Sequence, residues 1–564
     1  MGLLTFKGGI HPDDGKRFSK DSEIRTLLPK GELAYPLSQH IGAPANPIVK
    51  KGDHVLKGQK IAEAGGFVSS PIHASVSGTV KGIEYRFNPA GTKTECIIIE
   101  NDGEYAEIND LTVKPFGEMT REEIIERIGE AGIVGMGGAG FPTRVKLSPK
   151  EPEKIEYIIA NCAECEPLLK LHRQLLEKHA YEIMKTFHMI QETVGASEAI
   201  IGIKKSYVQT IHALNQHIEE FPGMRLHLLD EVYPMGDEVV LIYEATGRVV
   251  RPGGLPIEQG VAVFNVETVY NVYRAVEEKQ PVTDKYVSVV AEVSDPVTVR
   301  VPLGCTLEEV VAQAGSTTVK DPVYFVGGPM MGRIGNGSDP VTKTTNAILV
   351  LPKDHVIVMK KQRTSSIDLK RAASICCHCH TCTDLCPRHN LGHPIDPAMF
   401  MMAASNQDFR NVNPYINSAF CSSCGVCEMY ACPQSLAPRT LLADMKGGLR
   451  KAGIRPPQGV QPKPVQESRE YRKVPEERLM ARLGLTRYDK DAPLQEELVN
   501  VSKVKVLLSQ HIGAPAQAIV NVGDMVTEGQ MIAQPAQGLS VGIHATISGK
   551  VTEVTDRHVV IARN

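Results

Sequence analysis

Apolar and polar positions are arranged along this chain in three different ways. Toward both ends, short β-branched runs are punctuated by Gly-Asp and Ser-Gly, the pattern of hairpins in a small barrel. Over residues 120–285, helical and strand patterns alternate. Thr120–Gly132 sets Ile124, Ile125 and Ile128 among charges at helical spacing. Ile155–Ala160 and Ala199–Ile203 are short apolar runs, and Leu168–Val194 is one long amphipathic stretch. This alternation predicts an α/β layer domain with a largely parallel sheet. Further on, Val287–Val293 and Val297–Val301 read as strands, Leu307–Ala314 as a helix, and Val323–Val326 and Ala347–Leu351 as strands again. That order predicts a small β-grasp unit. Residues 366–450 hold cysteines among helical segments, and residues 453–470, rich in Pro, Gln and Lys, read as a linker.

The barrel patterns at the two ends are copies of each other. Leu37–Ala45 and Leu508–Ala516 both read LSQHIGAPA, and the match continues at a constant offset of 471. Gly52-Asp53, Gly58-Gln59 and Ile72-His73-Ala74 return as Gly523-Asp524, Gly529-Gln530 and Ile543-His544-Ala545. The G-D-x-V-x-x-G-Q-x-I pattern resembles a lipoyl-type barrel. A carrier barrel needs a lysine at the hairpin tip, in a DKA or MKM setting, and neither copy has one. Both copies therefore read as structural, with His40 and His511 as turn residues.

Two cysteine runs change the picture most. Cys376, Cys379, Cys382 and Cys386-Pro387 fit C-x2-C-x2-C-x3-C-P, the bacterial run for a [4Fe–4S] cluster. Cys421, Cys424, Cys427 and Cys432-Pro433 fit it with one extra residue before the last cysteine. In two-cluster ferredoxins the fourth cysteine serves the other cluster. The expected ligand sets are thus Cys376, Cys379, Cys382 and Cys432 for the first cluster, and Cys421, Cys424, Cys427 and Cys386 for the second. Structural zinc would show paired C-x2-C units instead, and disulfide frameworks suit small secreted chains. Of the 13 cysteines, Cys96, Cys162, Cys165, Cys305 and Cys377 are left over. Cys96 and Cys305 read as small buried apolar groups, and Cys162 and Cys165 form a C-x2-C pair open to a redox reading.

Composition excludes rather than identifies. A net charge of −3 gives no footprint for nucleic acid or an anionic membrane, and the lack of Trp argues against base stacking. No stretch reaches the ~20 apolar residues that span a bilayer. The opening Met-Gly-Leu-Leu-Thr-Phe has no basic n-region and no apolar h-region. A cytoplasmic location is the expectation.

The segment Gly132–Leu147 reads GIVGMGGAGFPTRVKL, and Gly135, Gly137 and Gly140 satisfy G-x-G-x-x-G. The dinucleotide fold is rejected, because the loop follows a helix and Phe141-Pro142 blocks a helix directly after Gly140. Two readings stay open: a phosphate cradle of backbone N–H groups with Lys146 as point charge, or a plain glycine turn. Three polar knots accompany it: Asn161–Pro167 (NCAECEP), Tyr233–Glu238 (YPMGDE) and Asn265–Thr268 (NVET). Each follows an apolar run, as do loops at the carboxyl end of a sheet.

These segments, in this order, resemble the NADH-binding flavoprotein subunit of respiratory complex I, followed by an SLBB-type β-grasp unit and iron–sulfur ligands. Phe6–Pro12 (FKGGIHP) and LSQHIGAPA look like the RnfC family. Cys386–Pro394, Cys427–Arg439 and Arg478–Tyr488 resemble the PduS family of cobalamin reductases. The resemblance implies FMN contacted by Gly135, Gly137, Gly138, Gly140, Lys146, Asn161, Asn265 and Thr268. It implies Glu164, Glu166, Tyr233 and Glu238 around flavin and nicotinamide, with Glu164 and Glu166 in the catalytic role. Ala163, Cys162 and Asp237 depart from the complex I pattern.

The expected domains are an RnfC-type barrel over 1–115, an FMN/NADH α/β domain over 116–285, a β-grasp unit over 286–352, a two-cluster ferredoxin-like domain over 366–450, a linker over 451–500 and a barrel repeat over 501–564. The implied activity is NADH oxidation, with electrons passing through FMN and two [4Fe–4S] clusters to a partner such as a cobalamin-dependent or other cytosolic reductase. The alternatives are a peripheral subunit of a membrane Rnf-type complex exchanging electrons between NAD and ferredoxin, and an assembly scaffold with structural clusters.

Overall fold

The computed structural model describes residues 29–40, 42–87, 93–108, 116–148, 154–495, 503–508, 515–534, 536 and 543–563. The expectations placed on Phe6–Pro12 and His511 lie outside these residues.

At the centre is a four-stranded sheet in the order Met224–Leu229, Glu198–Lys204, Tyr157–Cys162, Val261–Asn265, with every pairing parallel. Its strands are near-continuous apolar runs because helices cover both faces. Successive residues feed opposite cores. Ile158, Ala160 and Phe264 pack with helices Ala180–Val194 and Val266–Val276, while Ile159, Val261 and Val263 pack with helix Glu238–Thr246. The single amphipathic stretch expected over Leu168–Val194 is two helices, Leu171–Lys178 and Ala180–Val194. They part at His179 (φ −124°, ψ 37°), whose ring stacks on Tyr270 with centroids 4.4 Å apart.

The region expected as a β-grasp unit holds a mixed six-stranded sheet, ordered Arg333–Gly335, Pro322–Val326, Ala347–Pro352, Asp284–Ala291, Val297–Pro302, Leu494–Gln495. Buried ion pairs fasten it to the central domain. Asp284 receives Arg274 and Arg300, and Glu267 receives Lys285. A helical domain with cysteines at its helix ends follows. Its core is Ala372, Ile395, Phe400, Met401, Tyr415, Leu436, Leu441 and Leu442.

The stretch expected as a linker, 451–500, is an ordered strap over the rest. Val474-Pro475 pairs with Val232-Tyr233, helix Glu476–Leu483 follows, and Leu494-Gln495 adds an edge strand to the mixed sheet. Lys204, at the end of a central strand, pairs with Glu476, and Lys170 lies 2.8 Å from Asp489. Two-residue strands carry no periodicity of their own, and distant partners fix them.

The terminal repeat is also one of structure. Strands Glu32–Pro36, Asn46–Pro47, His54–Val55, Gln59–Glu63, Ile72–His73, Ser75–Val76 and Gly78–Phe87 recur as Lys503–Leu507, Gln517–Ala518, Met525–Val526, Gly529–Gln534, Ile543–His544, Thr546–Ile547 and Gly549–Val554. A barrel standing separately at each end was expected. Instead both copies are drawn onto one face of the core. Among the described residues, no helix is long and apolar enough to cross a membrane.

Candidate functional site

The carboxyl edge of the parallel sheet gathers the glycine loop and two asparagines. Asn161, next to last in its strand, accepts from Ala163 N (3.1 Å) and donates to Gly236 O (3.0 Å), tying two edge loops together. Asn265 caps helix Val266–Val276 by accepting from the N–H groups of Glu267 and Thr268. Its Nδ2 donates to His172 Nε2 at 3.1 Å. Burial holds His172 down to about 3, so the ring is neutral and Nε2 is free to accept.

The loop itself is pinned by that helix start. Thr268 Oγ1 accepts from Met136 N (3.0 Å) and donates to Val134 O (3.3 Å), while Gly135 N donates to Phe141 O (2.9 Å). The tip, Gly137-Gly138-Ala139, is exposed. A Cβ on Gly137 would strike the Asn265 amide, and the space beside Gly138 is open. Gly140 takes a left-handed φ of 69°. Lys146, on the short helix Thr143–Lys146, donates to Val263 O at 2.6 Å and lies 3.8 Å from the Glu238 carboxylate. Backbone donors at a glycine tip, with a lysine and two amides close by, fit a phosphorylated cofactor such as FMN.

Three expected residues point elsewhere. The Glu164 carboxylate caps helix Leu171–Lys178, accepting from His172 N (2.6 Å) and Arg173 N (3.2 Å). Glu166 reaches the loop of the mixed sheet and accepts from Met330 N (3.0 Å) and Met331 N (3.1 Å). Burial pushes both carboxyls up to about 7 despite those N–H groups. Tyr233 is buried, and its hydroxyl donates to Cys424 O at 2.7 Å, toward the cysteine domain.

The eight cysteines line two separate chambers. Cys376, Cys379, Cys382 and Cys432 share one with Met401 and Leu436. Cys386, Cys421, Cys424 and Cys427 share the other with Arg388 and Arg439. Both runs turn in the same way: His378 and Ser423, then His380 and Gly425, take left-handed φ at matching positions. The extra residue of the second run is absorbed in a π-helical turn, Cys427–Ala431, which still delivers Cys432 to the first chamber. Burial, then repulsion from Cys432, Cys379 and Cys376, pushes the Cys382 thiol up to about 12; burial likewise takes Cys424 to about 12. Four thiols that repel one another as thiolates are a donor set stabilised by bound iron. N–H groups already address the sulfurs, from Ser423 to Cys421 and from Leu436 to Cys432, each at 3.3 Å.

A pair not singled out in the sequence joins the two regions. Arg388, two residues after Cys386, makes a double contact with Asp237 at 2.9 Å to each oxygen, and Asp237 also caps helix Glu238–Thr246. Asp before a helical run is a readable cap, but its arginine lies 151 positions away.

Comparison with known proteins matches three family descriptions. "Nuo51 FMN-binding domain" covers residues 128–274, "RnfC Barrel sandwich hybrid domain" covers 4–104 and 487–564, and "4Fe-4S dicluster domain" covers 375–437. "Cobalamin reductase PduS" of Salmonella typhimurium is 42% identical over 447 residues, 79% of this chain and 97% of that protein. The RnfC-type component of the Na(+)-translocating ferredoxin:NAD(+) oxidoreductase complex of Acetobacterium woodii is 35% identical over 394 residues, 68% of this chain and 85% of that protein. Among solved structures, an NAD+-reducing [NiFe]-hydrogenase chain aligns with TM-score 0.41 and 21% identity, over 61% of this chain and 64% of that one.

Proposed function

The chain belongs to the family of PduS cobalamin reductases and RnfC-type proteins, and on that premise we propose how its residues divide the work. It is an oxidoreductase of NADH-linked flavo–iron–sulfur electron transfer, with an FMN-binding domain and a 4Fe-4S domain. When bound, FMN takes a hydride's two electrons together and gives them up singly to iron–sulfur clusters, which carry one at a time.

The residues of this chain hold and orient those groups. The backbone at Gly135, Gly137, Gly138 and Gly140 would receive the FMN phosphate, and Lys146 would oppose its charge. Asn161 and Asn265 would offer amides to the ring system, while Thr268 keeps the loop in place. Glu238 stands where nicotinamide would enter, with NADH as donor. Glu164 and Glu166 position the edge loop through backbone N–H groups. Two [4Fe–4S] clusters would be held by the two cysteine sets, the one containing Cys424 nearer the flavin and the one containing Cys379 nearer the acceptor. The carrying observation is the double link, Tyr233 to Cys424 O and Arg388 to Asp237, between the second chamber and the α/β domain.

The matching domain assignment keeps 116–285 for flavin and nucleotide, 286–352 for a β-grasp unit, 366–450 for the clusters, and 1–115 and 501–564 for the barrels. The acceptor is a partner protein such as a cobalamin-dependent or other reductase. Anaerobic purification tests the reading. We expect flavin absorbance, roughly eight iron atoms per chain and NADH-dependent reduction of a viologen. A colourless protein that carries zinc and no flavin sinks it.

A further inference from the structure

We propose that the two terminal barrels are alternative occupants of one seat on the core, so that a chain docks one barrel and releases the other. The ground is that equivalent atoms, 471 positions apart, claim the same partners. Leu303 O accepts from Ser75 Oγ (3.5 Å) and from Thr546 Oγ1 (3.0 Å). Ala106 is addressed by Ser77 (3.0 Å, through its N–H) and by Ser548 (3.4 Å, through its carbonyl). Strand Lys93–Asn101 meets Leu33 and Val504 at the same residue, Ile99. His73 and His544 stack with centroids 3.2 Å apart and planes 5° apart. A Cβ on Gly52 would fall on Gly523, and one on Gly82 would fall on Glu553. Protein interiors are already close-packed. Two chains cannot fill one volume, so these placements exclude each other.

The seat is built into the core beside the glycine loop. With the first copy docked, Ala34 N donates to Gly304 O (2.5 Å) and Lys343 N to Gln39 Oε1 (3.2 Å). The buried Lys343 ammonium then clamps barrel to loop, donating to Pro71 O (3.1 Å) and Gly132 O (2.7 Å). Gly140 rests against Gln39 O and the Cα of His40. Gln39 and His40 belong to LSQHIGAPA, which the second copy repeats letter for letter. A shared seat explains why that segment is the longest identical one.

Both copies can reach it. Ile108 in the first barrel and Phe116 at the core are eight positions apart, as are Gln495 in the core sheet and Lys503 in the second barrel. Such short tethers hold a tethered module at an effective concentration on the order of millimolar. The competition is intramolecular, between two nearly matched ligands.

Hydrogen exchange on the full-length holoprotein tests this. Ser75→Trp should unseat the first copy, and Thr546→Trp the second. We expect Ser75→Trp to speed exchange across 33–37, where Ala34 loses Gly304, and to slow it across 504–508 by about tenfold or more. Thr546→Trp should do the reverse. A substitution that merely damages its own barrel speeds exchange there and leaves the other copy alone. If neither variant slows exchange in the opposite copy, the single-seat proposal is overturned.

Discussion

The first cysteine chamber opens to solvent at Cys379, whereas the second is closed, with Cys427 7% exposed and the α/β domain against its wall. Both use the same spacing and the same left-handed turns. The difference lies in what surrounds them. Around the second, Tyr233 and Arg388 tie the chamber to loops of the flavin domain, and Lys446 donates to Cys421 O at 3.0 Å. Around the first, Thr381 addresses Cys379 at 3.2 Å and the exposed Cys377 flanks the opening. Ligand geometry is thus written in the run, and place in a sequence of electron steps is written in the neighbours. Burial and hydrogen bonds to sulfur also set cluster potential, so the two chambers should differ in that as well.

That contrast can be broken by substitution. The largest effect is expected at the cysteines. Cys427→Ser should remove about half the iron and stop viologen reduction while NADH still bleaches flavin. Cys379→Ser should remove a similar share of iron but leave the second chamber's paramagnetic signal intact. Equal signals from both variants would mean that the chambers are not ordered as argued. Next, Arg388→Ala leaves Asp237 half-buried without its partner, at a cost of about 3 kcal/mol. Thermal unfolding should register it.

Glu166 supports the loop whose Met330 packs on Gly425 of the second chamber. Its carboxyl sits at about 7 in the fold against an ordinary 4.5, so the folded state binds the extra proton between those values. Stability therefore falls as pH rises from about 4.5 to 7, by roughly 3 kcal/mol from this group. Glu166→Gln should flatten that part of a stability–pH curve, and an unchanged slope would refute the assignment. The smallest change is Tyr233→Phe, which removes one hydrogen bond worth about 1 kcal/mol. It should slow cluster reduction slightly without altering iron content.

What could be read in advance was whatever is local or strictly periodic. The cysteine spacing predicted both ligand sets that line the chambers, because a run of thiols wrapping one cluster needs fixed short gaps. Tyr157–Cys162 and Glu198–Lys204 were visible as apolar runs, since strands covered on both faces have no polar side. The offset of 471 exposed the duplication. What escaped depends on long-range contacts. Val474-Pro475 and Leu494-Gln495 are too short to carry a pattern, and the Arg388–Asp237 pair has no local signature. The break at His179 is fixed by stacking on Tyr270, across the domain. The roles given to Glu164 and Glu166 came from resemblance alone, and only the folded chain reveals that backbone amides already occupy their carboxylates.

The π turn at Cys427–Ala431 makes the two metal nests interdependent. Because Cys432 crosses over, shortening that turn by one residue would rotate a sulfur away from the neighbouring nest rather than from its own. A lesion written in the second run would then surface as a defect of the outer, solvent-facing centre, and mapping by nearest sequence would blame the wrong one.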